Sequence, residues 1–257
     1  MSSKLRENMF NHRSALLYCA ALVCFGAHAA SSDEIQVYDE AINKPGETTL
    51  EVHLNTVPSG LKLPAYNGQI PAQHDFRLTA EWGYGLDKNW EGGFYLPVIR
   101  APGGTWYGEG AKLRLKYMAD HAEHGGYWGV NGEIGYSSRR TDEQHWNLEL
   151  RPILGYKTEN WNLTLNPIIG TALSGDAQRA DFSPAFKVGR RLAAESWINI
   201  EHYSEFGALD HLTSQVQETY LTVDTVVAGR EVNFGVGHGW TAGSNAWTLK
   251  AILSLPF

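Results

Sequence analysis

The last eleven residues of the chain, WTLKAILSLPF at positions 247–257, alternate between apolar and other side chains and end on Phe257. Successive side chains of a β-strand point to opposite faces, so this alternation puts six apolar residues on one face. Thr248, Lys250 and Ser254 lie on the other face. The pattern predicts a terminal strand with one completely apolar face, which a protein core or lipid must cover.

The amino-terminal end has the three parts of a secretory signal peptide. Three basic residues among the first thirteen precede an apolar run at 15–25, which ends in the small-residue pattern Ala27-His28-Ala29. The run is too short to cross a membrane as a helix, which needs about 20 residues. We predict that residues 1–30 are a signal peptide cleaved after Ala29 or Ala30. The alternative, a buried helix of a cytosolic protein, is disfavoured because nothing caps or extends the run.

Both cysteines, Cys19 and Cys24, lie within the predicted signal peptide. Residues 31–257 therefore contain no thiol, which excludes a disulfide framework and a cysteine-based metal site. Bulky Tyr18 and Val23 directly precede the two cysteines. Lipid anchoring is disfavoured because a lipidated cysteine needs small residues before it.

Charge and composition narrow the function classes. Of 21 basic and 28 acidic residues, three basic and one acidic belong to 1–30, so 18 and 27 remain and the net charge is −9. This acidity argues against nucleic acid as a partner. No Pro/Ser/Gly-rich linker divides the rest, so we predict one domain at 48–257, preceded by a periplasmic segment at 31–47. That segment either folds into the domain as a plug or lies in the periplasm as a docking segment.

Strand patterns fill the predicted domain. Clusters of Gly, Pro, Asn or Asp separate twelve candidate strands of roughly 8–13 residues. They span 48–57, 75–86, 90–100, 106–119, 126–137, 145–157, 161–173, 182–192, 196–206, 219–228, 232–240 and 246–257. Tight connections alternate with longer ones such as 58–74 and 207–217. An even strand number with this alternation is typical of an antiparallel up-and-down outer-membrane barrel, whose short turns and both chain ends face the periplasm.

Side-chain parity predicts which face of each strand contacts lipid. In the fourth predicted strand Lys112, Arg114 and Lys116 alternate with Leu113 and Leu115. A basic residue that faces lipid costs about 2–4 kcal/mol near the bilayer middle, so these three must point inward. The same rule predicts a polar, lumen-lining set, and its members are Arg77, Glu81, Lys112, Arg114, Lys116, Glu133, Glu149, Arg151, Glu201, Asp224 and Lys250.

A soluble β-sandwich is the alternative, because its strands could put the same charges in water and the apolar faces in a core. Tryptophans at strand ends favour the barrel, where aromatic residues form girdles at both interfaces. The predicted girdle residues are Trp90, Trp106, Trp146, Trp161 and Trp240. Four residues fit poorly: Trp197 has inward parity, and Pro152, Pro167 and Pro184 fall inside strands. Bulges, bends or a register slipped by one residue would account for them.

Four stretches carry a family resemblance. DEIQVYDEAINKPGE at 33–47, EWGYGLDKNWEGGFYLP at 81–97, GAKLRLKY at 110–117 and WNLELRPILGY at 146–156 resemble a proteobacterial outer-membrane β-barrel family grouped with the transporters of the phenol-degradation (MetA-pathway) group. The resemblance implies a monomer in the cell outer membrane, surrounded by outer-membrane lipid. It also implies that the barrel-assembly machinery and periplasmic chaperones are partners, and that Phe257 is the assembly signal.

The resemblance implies transport only by association, and we expect the predicted barrel to be a channel or transporter for small solutes, apolar or aromatic ones among them, with no cofactor. The first alternative is a structural or adhesive barrel that transports nothing. The second is an outer-membrane hydrolase, for which His202, Ser204 and the pair Asp210-His211 are the candidate rim residues. A metal site at Asp120, His121, Glu123 and His124 is disfavoured, because a His-x-x-His in a flexible turn is not preorganised.

Overall fold

A computed structural model describes residues 34–174 and 178–256; the predicted signal peptide and the predicted assembly signal Phe257 lie outside the described residues. Fifteen strand segments form one antiparallel sheet. They are β1 Thr48–Ser59, β2 Phe76–Gly85, β3 Trp90–Arg100, β4 Trp106–Gly108, β5 Gly110–Met118, β6 Gly125–Ser137, β7 Trp146–Lys157, β8 Trp161–Asn166, β9 Ile169–Ala172, β10 Ala180–Phe182, β11 Ala185–Ala193, β12 Ser196–Glu205, β13 Val216–Val227, β14 Arg230–Gly239 and β15 Trp247–Pro256.

The sheet closes on itself because the first and last strands pair. Leu50 in β1 lies opposite Leu255 in β15, and the register continues as far as Thr56 opposite Leu249. On the far side β7 pairs with β6, β8 and β9. Since β4 continues into β5, β8 into β9 and β10 into β11, the segments form twelve barrel strands. The predicted all-β, twelve-stranded antiparallel barrel is confirmed. No helix among the described residues is long and apolar enough to cross a membrane.

The connections give the barrel two different ends. At one end the strands are joined by short turns, of which residues 228–229 between β13 and β14 are an example. Ala228 and Gly229 have φ values of 51° and 73°, as a two-residue type I′ hairpin turn requires. At the other end longer loops, such as 60–75 and 206–215, join the strands. We call these ends the short-turn rim and the long-loop rim.

A β-bulge interrupts the fourth barrel strand, which the sequence predicts as continuous. Before the break Glu109 points inward, whereas after it Lys112 and Lys116 do, so the bulge shifts the inward parity by one residue. Gly110 has φ of 144°, and a Cβ there would overlap the carbonyl oxygen of Tyr136. Only glycine fits this bulge without displacing the neighbouring strand.

Prolines interrupt two further strands that the sequence predicts as continuous. Pro167 separates β8 from β9, and Pro184 separates β10 from β11, because proline cannot donate a ladder hydrogen bond. The parity survives the first break, since Asn166 and Ile168 on either side of it are both buried in the interior. Pro152 stays within β7. The register is therefore not slipped at these prolines.

The five tryptophans of the predicted girdle are on the outer surface, between 38% and 66% exposed. Trp90 and Trp161 begin β3 and β8 at the short-turn rim. Trp106, Trp146 and Trp240 lie at the long-loop rim. Between the rims the outer surface is aliphatic and aromatic, with exposed residues that include Phe94, Leu113, Leu115, Leu150, Leu165 and Leu221.

The amino-terminal segment lies inside the barrel. The sequence leaves two alternatives for residues 31–47, a plug in the domain or a periplasmic docking segment, and the described part, residues 34–47, lies in the lumen. Glu34, Val37 and Tyr38 are buried there against the barrel wall. Near the end of the segment the Gly46 amide donates to the Gly85 carbonyl at the short-turn rim, 2.8 Å away. We call residues 34–47 the plug.

Candidate functional site

The barrel interior is the candidate functional site, because it contains most of the charged strand residues. All eleven predicted lumen-lining residues lie on the inner face, buried or half-buried: Arg77, Glu81, Lys112, Arg114, Lys116, Glu133, Glu149, Arg151, Glu201, Asp224 and Lys250. In β5 the separation is clear, because Arg114 and Lys116 point inward while Leu113 and Leu115 face outward.

Most of these charges are neutralised by a neighbour on the wall. Arg114 contacts Glu81 at 2.8 Å and Glu91 at 2.5 Å. The Lys250 ammonium donates to Glu201 at 2.6 Å, and Glu201 also accepts hydrogen bonds from Tyr203 and Thr222. Buried charges persist only when they are paired and hydrogen-bonded in this way. The interior is therefore a structured network and not a uniformly charged tube.

Several inward residues are absent from the predicted set. His53 is 3.0 Å from Glu81, Glu91 pairs with Arg114, and Lys187 pairs with the plug. Each alternates with outward residues in its strand, as Lys187 does between Phe186 and Val188. Parity applied to every strand would have found them. No local pattern would have found their partners, which lie on other strands or on the plug.

Tyr38 anchors the centre of the plug. Asn166 Oδ1 accepts a hydrogen bond from the Tyr38 amide at 2.8 Å, and Asn166 Nδ2 donates to the Tyr38 carbonyl at 2.9 Å. The Tyr38 hydroxyl lies 2.5 Å from that of Tyr95 in β3. Next to it, Val37 packs with Ile168 in a small apolar cluster. One wall amide thus satisfies both backbone groups of Tyr38, as buried peptide groups require.

Basic wall residues also hold the plug through its backbone. Lys116 Nζ donates to the Ala41 carbonyl at 2.6 Å, and Lys250 Nζ donates to the Ile35 carbonyl at 2.8 Å. These are charge-assisted hydrogen bonds, which are shorter and stronger than neutral ones. Because both lysines bind backbone carbonyls, these contacts do not depend on the side chains at positions 35 and 41 of the plug.

Asp39 makes the main side-chain ion pair of the plug, with Lys187 at 2.6 Å. Burial opposes ionisation of the Asp39 carboxyl, but the Lys187 ammonium outweighs it and lowers the pKa of Asp39 to about 2. Asp39 is therefore ionised at neutral pH. A second pair joins Glu40 of the plug to Lys157 of β7.

Two cavities lie beside the plug. The cavity at the short-turn rim has a volume of about 380 Å³ and lies between the plug and strands that carry Glu51, Glu81 and Arg114. The other cavity has a volume of about 460 Å³ and lies between Glu34 and the long loop 60–75. We call the second cavity the vestibule. Residues of the plug line both cavities, Tyr38 and Asp39 the first and Glu34 and Ile35 the second.

The loop 60–75 closes much of the long-loop rim. Its Ile70 amide donates to the Arg140 carbonyl at 2.9 Å, and its Leu61 amide donates to Asn245 Oδ1 at 3.3 Å. These hydrogen bonds connect the loop 60–75 to two other loops at the long-loop rim. Leu61, Leu63 and Tyr66 of the loop line the vestibule. The loop therefore gives the vestibule an apolar outer wall.

The candidate hydrolase residues do not form a triad. The two ring nitrogens of His202 contact Thr219 and Gln217, at 2.9 and 3.0 Å. Ser204 donates to Gln217 and does not contact His202. Asp210 pairs with Arg179 at 2.6 Å. An activated serine requires a direct contact with the imidazole, which these residues lack.

Two of the four candidate metal residues of the turn have other contacts. Asp120 pairs with Lys88 at 2.6 Å at an exposed position, and His121 contacts a neighbouring carbonyl. Among the described residues, one group has ligand atoms close enough to hold a metal ion: Glu51, His53 and Glu81. Arg114 already contacts Glu81 there, and its positive charge disfavours a cation at the same carboxylate.

Known outer-membrane proteins have the same fold. An outer membrane channel from Pseudomonas putida F1 superimposes with a TM-score of 0.63 at 14% sequence identity, over 87% of this chain and 100% of that chain. The NanC porin gives 0.54 at 10% identity, over 80% and 97%. The KdgM porin gives 0.53 at 10% identity, over 81% and 99%.

No protein-family model matches the chain, and no curated protein is significantly similar to it in sequence. The resemblance to the phenol-degradation group therefore has no sequence match to support it. The structural likeness supports the coarser prediction of an outer-membrane barrel. The chain has the fold of outer-membrane channels and porins.

Proposed function

We propose that the protein is an outer-membrane channel for small organic solutes, closed by its own amino-terminal segment in the conformation described here. The observation that carries the proposal is the way residues 34–47 fill the lumen. Polar and ionic contacts such as Asp39–Lys187 and Lys116–Ala41 hold the plug. Water can replace such contacts more easily than it can separate an apolar core. The plug can therefore leave while the barrel stays closed on itself.

The proposed orientation puts the short turns in the periplasm and the long loops outside the cell, as in bacterial outer-membrane barrels. In this orientation a solute enters the vestibule from outside the cell and then reaches the plug. The protein acts as a monomer surrounded by outer-membrane lipid, and reaches the membrane through its signal peptide, periplasmic chaperones and the barrel-assembly machinery. Apolar or aromatic solutes are the class that the resemblance to phenol-degradation transporters suggests.

Planar-bilayer recordings test this function. The mature protein, residues 31–257, should give small or rare openings. A variant that lacks residues 34–43 should give a larger and more frequent current, because the lumen is then unobstructed. Both proteins should first be shown to be folded by their heat-dependent gel mobility. Currents that are equal in the two proteins would show that the plug does not close the pathway.

A structural or adhesive barrel is the alternative, and the same recordings separate it from a channel. If the variant without the plug is folded but passes no current and no solute into proteoliposomes, the transport function is wrong. A hydrolase is less well supported, because His202, Ser204 and Asp210 each contact other partners.

A further inference from the structure

The vestibule has an unusual charge distribution for a space lined by both polar and apolar side chains. Its described lining contains ten acidic side chains and two basic ones, Arg77 and Lys112, and Arg151 beside the lining contacts Glu149 at 2.8 Å and Glu34 at 3.8 Å. Arg77 already pairs with Asp75 at 3.1 Å and with Glu109 at 2.8 Å. A cleft lined by one sign of charge between low-dielectric walls concentrates ions of the opposite sign. The vestibule thus attracts cations.

Glu34 gives this field a specific docking point. The residue begins the described part of the plug, lines the vestibule and is 5% exposed. Neither of its carboxylate oxygens accepts a hydrogen bond from residues 34–174 or 178–256. Arg151 is the nearest basic group, but it lies 3.8 Å away and makes a closer contact, at 2.8 Å, with Glu149. A buried carboxylate without a donor is costly, so the free site favours protonated Glu34, and a ligand with an ammonium group would stabilise the ionised form.

The described groups around Glu34 give its carboxyl oxygens no hydrogen bond. Burial raises the pKa of the Glu34 carboxyl, and Arg151 only partly opposes this effect. A second unpartnered oxygen, Oδ1 of Asp75, also lines the vestibule in a side chain that is 1% exposed. Two buried acceptors therefore point to a ligand that brings donors and positive charge.

Another part of the lining is apolar and aromatic. Ile35 and Ile168 line the vestibule together with Tyr203 and Tyr220, whose rings meet edge to face at 5.4 Å. Lys250 Nζ already lies 5.9–6.0 Å from both ring centroids, so these side chains can take the hydrocarbon part of a ligand and not its ammonium group. At about 460 Å³ the vestibule is within the size range of small-molecule sites.

We propose that the vestibule binds small organic cations with an apolar or aromatic body, and that the ammonium group docks on Glu34 while the body packs on the Tyr203–Tyr220 side. This inference rests on the proposed function and narrows its solute class to amphipathic cations. It is specific in sign, because a neutral molecule of the same size and shape can donate a hydrogen bond to Glu34 but brings no positive charge, and an anionic one is repelled.

Three aromatic probes of similar size and different charge test the proposal: benzylammonium, benzyl alcohol and benzoate. Their binding to the full mature protein in detergent micelles can be measured by titration calorimetry, with protein-free micelles as the blank. Benzylammonium should bind at least tenfold more tightly than benzyl alcohol, and benzoate should not bind. Equal affinities for benzylammonium and benzyl alcohol would overturn the proposal.

Variants locate the site. Glu34→Gln should weaken benzylammonium binding at least tenfold, whereas Glu159→Gln, the same change on an exposed turn at the opposite rim, should leave it unchanged. Lys112→Gln should tighten binding several-fold, because it removes a positive charge from the lining. A misfolded variant cannot bind more tightly, so this second result does not depend on how well Glu34→Gln folds. If neither Glu34→Gln nor Lys112→Gln changes the affinity for benzylammonium, the vestibule is not the binding site.

The experiments distinguish a failure of the cation-site proposal from a failure of the channel function. If benzylammonium binds with the predicted variant effects but the protein without its plug passes no current, the channel function is wrong and the cation site stands. If that protein conducts but benzylammonium does not bind, the channel stands and the cation site is wrong.

Discussion

The Asp39 carboxylate accepts a hydrogen bond from Lys187 Nζ at 2.6 Å and joins the plug to the barrel wall across 148 positions of the chain. Asp39→Asn removes the charge and should weaken the plugged state by about 1–2 kcal/mol, less than for a fully buried pair because Asp39 is partly exposed. In planar bilayers the open probability should rise roughly tenfold. Asp210→Asn is the control, because it breaks an exposed pair of equal length, Asp210–Arg179, away from the plug. If both variants open the channel equally, the Asp39 pair does not hold the plug.

The same ion pair predicts how the plug responds to acid. The pKa of Asp39 is lowered from 3.8 to about 2 by Lys187 in the plugged state. A lowered pKa means that the pair stabilises the plug fully above about pH 4 and loses its contribution as the pH falls towards 2. The contribution of the Asp39–Lys187 pair should therefore stay constant from pH 8 to pH 5, and its loss should raise the open probability between pH 4 and pH 2. The rise in open probability between pH 4 and pH 2 should be smaller in Asp39→Asn. If the rise is as large in that variant, other titratable groups cause it.

The two hydrogen bonds from Asn166 to Tyr38 predict how tightly the plug is held at its centre. Asn166→Ala removes both and leaves two buried peptide groups of Tyr38 without these partners, at a cost of about 1–3 kcal/mol. Because residues 31–257 contain no native cysteine, Val37→Cys is a unique and buried probe. Maleimide should label it about tenfold faster when Asn166→Ala is added. Asn160→Ala, in an exposed turn, should not change the rate, and equal rates in all three proteins would contradict the prediction.

The outer face of β5 provides a test of lipid contact. Leu115→Lys puts an ammonium group on the lipid side and should lower the free energy of unfolding from lipid vesicles by about 2–4 kcal/mol. Leu86→Lys, also exposed but at the short-turn rim, should cost about 0–1 kcal/mol. Urea titration of both variants measures the difference. Equal and small losses would mean that the outer face does not contact hydrocarbon.

The turn at 228–229 predicts a backbone effect with no contribution from packing. Gly229 has φ of 73°, and a Cβ there meets no atom within 4 Å. Gly229→Ala should therefore destabilise the barrel by about 1 kcal/mol through its backbone conformation alone. Gly103→Ala is the matched control, because its Cβ also meets no atom within 4 Å but its φ is not in the left-handed region. That change should be neutral or slightly stabilising, and a similar loss in both variants would exclude the backbone explanation.

Sequence reasoning predicted the strands well and their interruptions poorly. Alternation marks β3 at Trp90–Arg100 without error, because a two-residue period is a local property. The breaks at Glu109, Pro167 and Pro184 depend on how neighbouring strands bend and pair. The Gly110 bulge, for example, is set by close approach to Tyr136 of β6, which no pattern within β5 contains.

By itself the sequence determined the barrel, its inner and outer faces and the charged residues of its lumen, because burial of one face in lipid leaves a strict period along each strand. Tertiary structure alone decided that residues 34–47 fill the lumen, that Asp39 meets Lys187, and that Glu34 faces an acidic vestibule under the loop 60–75. These contacts join residues far apart in the chain. The plug and the loop have no periodic pattern, and their positions follow from partners that only the closed barrel brings together.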